Sequence, residues 1–307
     1  MNEVFNIGSL EFGINGSLRK RLDTNKIEYY HFNAFDQMKA YSDNGETYGY
    51  YGYDDAGQRT YKMILKSSEI HTNRYGGKML DVEKMMLYPN GYININQNGE
   101  YTKHYYADAQ RIASKIGNGF EDSINRENNL IAEDVIIKEL SELIPNDTIT
   151  EILYSFEQIT HLQGDTNNSL EDALFFYHGN HLSSTQLITN NIGDIAQAIL
   201  YAPFGQVISE YKQDWMIDTI PRYLFNGKEL DEESGLNYYE ARYLDSKWGT
   251  FNSRDQKFEK YFYISPYAYC ANNPVIYVDP DGKDYYNWKG KRLGASVNSN
   301  DVYFASV

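Results

Sequence analysis

Three groups of residues in this sequence have types and spacing that bear on chemistry. His178 and His181 stand three apart, a spacing that could suggest a metal pair. No cysteine lies near them, no third ligand follows from spacing, and on a strand they would point to opposite faces. They read as structural hydrogen-bonding residues, and no metal site is expected. Cys270 is the single cysteine. It can form neither an intrachain disulfide nor a cysteine metal cluster. Between Tyr269 and Ala271 it reads as a small buried hydrophobe. Asp279 and Asp281 bracket Pro280 just ahead of Gly282, where they are natural turn residues. Nothing here calls for a cofactor.

The elements that must position these residues read as short strands. Thirty tyrosines, a 15% aromatic share and 23 glycines fit half-buried pleated surfaces joined by tight turns. One unit recurs. Phe32-Asn33-Ala34-Phe35-Asp36-Gln37-Met38-Lys39 is matched 21 residues later by Tyr53-Asp54-Asp55-Ala56-Gly57-Gln58-Arg59-Thr60, and 52 residues after that by Tyr105-Tyr106-Ala107-Asp108-Ala109-Gln110-Arg111-Ile112. Degenerate units lie near Tyr88-Pro89-Asn90-Gly91 and Gln97-Asn98-Gly99-Glu100. In each, an aromatic enters a turn, Asp bonds its own backbone, and Gly tolerates left-handed geometry. A single hairpin of this kind is marginal, so neighbours must stack to bury a common face.

Residues 120–168 change character. Leu130, Val135, Ile136, Leu140 and Leu143 fall on one helical face ended by Pro145, and a second helix is expected from Ile149 to Leu162, capped by Thr148 or Thr150. The expected fold is therefore mainly β, with repeat hairpins forming a curved sheet or partial shell and a small helical insertion that sits over the sheet, plugs an opening or contacts a partner.

There are 43 acidic against 28 basic residues, a net charge of -15. That disfavours nucleic acid, which needs a basic footprint, and an anionic membrane surface. No stretch reaches transmembrane length, and Met1-Asn2-Glu3-Val4 does not open a signal peptide. The start reads as an entry partway into a larger array or as a gene fragment.

The stretch from Tyr177 to Gly282 carries an ordered set of motifs. His178-Gly179-Asn180-His181-Leu182-Ser183-Ser184 is followed by Ala202-Pro203-Phe204-Gly205, then Asn226-Gly227-Lys228-Glu229. Gly235-Leu236-Asn237-Tyr238-Tyr239-Glu240-Ala241-Arg242-Tyr243 comes next, then Arg254-Asp255, and the set closes with Asn272-Asn273-Pro274-Val275-Ile276-Tyr277-Val278-Asp279-Pro280-Asp281-Gly282. Together they resemble the RHS-repeat-associated core domain, which ends the tyrosine–aspartate (YD) repeat shells of bacterial polymorphic toxins. The stretch is also similar to the shell-closing region of insecticidal toxin complexes, and distantly to the repeats of teneurins.

The resemblance implies four regions: YD-repeat strands over 1–119, the insertion over 120–168, the core domain over 169–282, and a tail over 283–307 where relatives carry a variable toxin. It implies fold roles for His178, His181, Phe204, Gly205, Gly227, Tyr239, Arg242, Pro274 and Pro280. In relatives the core domain cuts its own chain beyond the closing glycine with aspartic-protease-like groups. Here that implies Asp255 as a catalytic acid oriented by Arg254, Asp279 as its partner with Asp281 behind it, and a junction at Gly282–Lys283. Two carboxylates held close cannot both ionise comfortably, so one keeps a proton while the other activates water. The sequence departs from the relatives at Gln256, at Glu259 to Ile264, and at Lys283.

Three readings follow. One is a structural shell or scaffold fragment, secreted or at the cell surface, whose partners are upstream YD repeats or the enclosed C-terminal polypeptide. Another is a self-cleaving module. The third is an adhesion or carbohydrate-binding surface built on tyrosine faces.

Overall fold

A computed structural model describes residues 9–23, 26–44, 46–71, 76–107, 110–117, 149–153, 174–213, 222–287 and 289–292. The chain divides into two compact units.

The first unit holds β1 (Ser9–Phe12), β2 (Leu18–Asp23), β3 (Lys26–Phe32), β4 (Met38–Asp43), β5 (Thr47–Tyr53), β6 (Arg59–His71) and β7 (Gly76–Asn90). Each strand pairs antiparallel with the next. Side chains alternate across a strand, so the register decides which of them share a face. Ala40 lies opposite Tyr50, Tyr50 opposite Met63, and Met63 opposite Met85. Tyr48, Leu65 and Val82 make the neighbouring row, and with Leu80 these residues form the buried cluster. Removing side chains of this size from water stabilises by about 1.5–3 kcal/mol each.

The second unit holds β8 (Ile93–Asn96), β9 (Tyr101–Ala107) and β10 (Gln110–Gly117). The next strand in sequence, β11 (Ile149–Leu153), pairs in parallel with β7 and belongs to the first unit. The second unit continues with β12 (Leu174–Gly179), β13 (Thr185–Asn190), β14 (Ile195–Tyr201) and β15 (Val207–Lys212), in sheet order after β10. A four-stranded sheet follows from β16 (Glu229–Asp231), β17 (Leu236–Tyr239), β18 (Arg242–Asp245) and β19 (Thr250–Phe251). The hairpin of β20 (Tyr277–Val278) and β21 (Tyr286–Asn287) closes the described chain.

The turns repeat one geometry. In 33–37 the Asn33 N–H donates to the Gln37 carbonyl at 2.9 Å, and the Asn33 side-chain oxygen accepts from the Phe35 and Gln37 amides. The fourth residue, Asp36, is left-handed with φ 61°. The same five-residue pattern recurs at 54–58, 180–184, 190–194 and 287–291, with Gly57, Ser183, Gly193 and Gly290 in the left-handed slot. The third repeat unit expected from the sequence has its turn at Asp108 and Ala109, outside the described residues.

Two expectations are corrected. No sheet closes or curls on itself: in each unit the strand order is open, so the curved sheet or partial shell is not what these residues form. The first expected helix lies outside the described residues. The second begins at Ile149, which instead opens strand β11. Among the described residues there are short 3₁₀ turns and no α-helix, and no helix is long and apolar enough to cross a membrane.

Candidate active site

The site is built on an aromatic core of the second unit. Tyr239, Phe251 and Tyr269 pack edge-on, with ring centroids 5.5–5.8 Å apart. Rings that meet edge to face gain beyond their buried area. Asn226, left-handed at φ 50°, accepts at one side-chain oxygen from the hydroxyls of Tyr239 (2.8 Å) and Tyr269 (2.6 Å). Its amide donates to the Leu182 carbonyl at 2.8 Å. Gly227 follows at φ 64°. Gly205 stands so close to Phe225 that a β-carbon there would fall 2.4 Å from the ring. Phe204 packs against the same cluster.

Arg242, at the start of β18, is 3% exposed and lies over the Phe251 ring with Cζ 3.7 Å from its centroid. A guanidinium so buried must satisfy its donors inside the protein. Nη2 meets two carboxylates, Asp255 Oδ2 at 3.0 Å and Asp279 Oδ2 at 3.4 Å. Nη1 donates to the Pro266 carbonyl at 3.2 Å, and Nε donates to the Gly282 carbonyl at 2.5 Å. One cation therefore serves two acids and two peptide carbonyls.

The Gly282 carbonyl belongs to the Gly282–Lys283 peptide group. The amide on its other side, Lys283 N–H, donates to Asp279 Oδ1 and to Asp281 Oδ1, both at 3.1 Å. Gly282 is left-handed at φ 72°, and an added β-carbon would meet the Tyr239 carbonyl oxygen at 2.8 Å. Only glycine brings the backbone this close. A small cavity of about 20 Å³ opens among Arg242, Asp255, Ser265, Pro266, Asp279 and Lys283, room for one water molecule.

The electrostatics follow from the count of charges. Burial pushes the Asp279 carboxyl up, Arg242 opposes, and Asp281 and Asp255 add to the rise, leaving it at about 7. Burial also raises Asp255, held back by Arg242 and by the Lys257 amide, which donates to its carboxylate at 2.6 Å. Asp279 is thus about half protonated near neutral pH, and burial holds both carboxyls above the ordinary carboxylate value.

The structure brings Asp255, Asp279, Gly282 and Lys283 together, as the sequence placed them in one group. It does not bring Arg254, whose guanidinium stacks over Phe258 at 4.6 Å. Arg242 takes that place. The histidines lie apart from the site and are exposed: His178 bonds Thr189 at 3.0 Å, and His181 donates to the Val275 carbonyl at 3.1 Å. Among the described residues no group of side chains could hold a metal ion. Pro274 is buried beside the turn that leads into β20, and Pro280 separates the two acids. The Cys270 thiol lines the same cavity, and burial drives it well above its ordinary range.

Sequence reasoning missed a second cluster just past the junction. Asp284, 4% exposed, accepts from the Tyr261 hydroxyl at 2.7 Å and from Arg292 at 2.9 Å, and it pairs with Lys257. An acid immediately after Lys283, followed by Lys289, Lys291 and Arg292, was the available signal.

No family model matches the chain. Salivary gland surface protein 1 of Aedes aegypti is 29% identical over 177 residues, which is 52% of this chain and 5% of that protein. The tRNA nuclease WapA of Bacillus subtilis is 31% identical over 136 residues, 42% of this chain and 5% of that protein. The chain thus spans a small fraction of the curated relatives it matches. Among solved structures, one of the Photorhabdus luminescens Tc holotoxin pore superposes with a TM-score of 0.55 at 18% identity, covering 96% of this chain and 11% of that one. This mostly-β chain is related in fold to that toxin component and in sequence to WapA-type toxin proteins.

Proposed function

We propose that this chain is a scaffold segment of a longer toxin-associated protein, exported or displayed at the cell surface, and that its second unit cuts its own backbone between Gly282 and Lys283. The scaffold reading is supported by the similarity to WapA and by the Tc-toxin fold. The cleavage reading is carried by one observation: a single peptide group is held on its carbonyl side by Arg242 and on its amide side by Asp279.

The chemistry is hydrolysis of an amide. A water in the small cavity adds to the Gly282 carbonyl carbon while ionised Asp255 takes its proton. Arg242 Nε already points at the carbonyl oxygen and stabilises the charge that develops there. Asp279, in its protonated form, gives its proton to the Lys283 nitrogen as the C–N bond breaks. The products are a Gly282 carboxyl group and a Lys283 amine. The substrate is already in place, so orientation costs nothing beyond folding.

Intact mass of the freshly purified chain tests this. The parent should lose residues 283–307, and Asp255→Asn should slow the cut by about a hundredfold or more. The rate should peak below about pH 7 and fall above it as Asp279 loses its proton. It should fall again in acid as Asp255 gains one. A full-length mass in parent and variant after prolonged incubation sinks the reading.

A further inference from the structure

We infer that the cut leaves its product in place: residues Lys283 to Arg292 stay docked on the core, with the new Lys283 amino group held by Asp279 and Asp281. The inference rests on the cleavage reading above.

The contacts that would survive the cut are all present. Lys283 N lies 3.1 Å from a carboxylate oxygen of each acid. Hydrolysis turns that amide nitrogen into an amine whose ordinary pKa is about 7.7–8.0, so it carries a positive charge at neutral pH. The cut adds one cation and one anion: the new Gly282 carboxylate stays against Arg242, and the new ammonium lies where Asp279 has just given up its proton. Capture of a chain's amino terminus by inward-facing acceptors is an established mode of recognition.

Asp284 supplies the second hold. Burial pushes its carboxyl up, but Lys257 and Tyr261 outweigh burial, and it stays ionised below the usual carboxylate range. Of its partners, Lys257 and Tyr261 lie on the far side of the cut, so each ties the product to the core. The third hold is backbone. Val278 pairs with Tyr286 and Tyr277 with Asn287. Tyr285 packs on the rings of Tyr261 and Tyr277 at 5.3 and 5.7 Å. The turn over 287–291 then folds the chain back, and Arg292 returns to Asp284. This is a built strand with ionic ends, not a free tail.

Native size-exclusion chromatography of the cut protein, with mass analysis of the eluted peak, decides it. The fragments 1–282 and 283–307 should co-elute. Asp281→Asn removes one negative charge facing the new amine and should speed dissociation about tenfold. Tyr261→Phe removes one hydroxyl from Asp284, preserves the ring, and should act in the same direction. Cut protein that loses its tail on the column overturns the docking and leaves the cleavage standing. A tail whose departure neither variant changes overturns the assigned contacts. A full-length mass overturns the cleavage reading and the docking with it.

Discussion

The two units each bury an arginine against tyrosines or phenylalanine and carboxylates, and they do so with opposite outcomes. In the first unit Glu28 is the buried acid, and Asp43 beside it shares Lys26 at 3.3 Å. Glu28 pairs with Arg21, meets Lys26 at 3.0 Å, and accepts from the hydroxyls of Tyr30 and Tyr41, each at 3.0 Å. Burial raises the Glu28 carboxyl, but the two cations outweigh it and the net shift is downward. In the second unit Arg242 is shared between Asp255 and Asp279, and Asp279 rises to about 7. The lesson is one of counting. Two cations directed at one buried carboxylate make a fixed structural centre. Acids in excess leave a proton that can move, and such a proton is what acid–base chemistry needs.

The largest test of this contrast removes each arginine. Arg242→Met leaves two buried acids without their shared cation and should cost about 3–5 kcal/mol in urea unfolding. Arg21→Met should cost clearly less, because Lys26 and two hydroxyls still serve Glu28. Equal losses would erase the distinction.

Next comes the sign of the pH dependence. The folded pKa of Asp279 is raised, so its contribution to stability is full below the ordinary carboxylate value of about 3.9 and is lost as pH rises through about 7. That of Glu28 is lowered, so its contribution is present above about 4.3 and is lost as pH falls through its folded value. In thermal melts across pH, Asp279→Asn should flatten the decline between weak acid and neutrality. Glu28→Gln should flatten only the decline in acid.

A smaller effect sharpens the structural side. Tyr41→Phe removes a hydroxyl that donates to Glu28 and should cost about 1.5–3 kcal/mol in urea unfolding, with no change in the fraction of chains cut. The smallest effect concerns Cys270. Its buried thiol should not react with a thiol reagent in the native protein and should react fully in urea.

The strands and turns were legible because their rules are local. Asn33, Asp54 and Gly57 announce a bonded left-handed turn in their side chains alone. The partners Asp255, Asp279, Gly282 and Lys283 were legible through an ordered motif. Arg242 was not, because within Tyr239-Glu240-Ala241-Arg242-Tyr243 it reads as packing. Yet a cation on a buried strand must find acids, and the two it meets, Asp255 and Asp279, both lie downstream. The helix expected at Ile149 failed for a different reason. Ile149-Thr150-Glu151-Ile152-Leu153 is short and rich in β-branched residues, so apolar spacing cannot separate helix from strand there, and pairing with β7 decides. Curvature was not readable at all. It depends on tilt and stagger accumulated over many strands, and alternation within one strand carries neither.

The Gly282 carbonyl meets Arg242 across 40 residues of chain, and Asp279 meets the same guanidinium across 37. In the proposed reading the acting groups and the bond they act on come together only through these long-range contacts. For the proposed cut this makes the bond a memory. A nascent or misassembled chain has no working site and stays whole, whereas a chain that once reached the native arrangement is marked permanently, even if it later unfolds. The cleaved fraction of a preparation then counts the molecules that have ever folded.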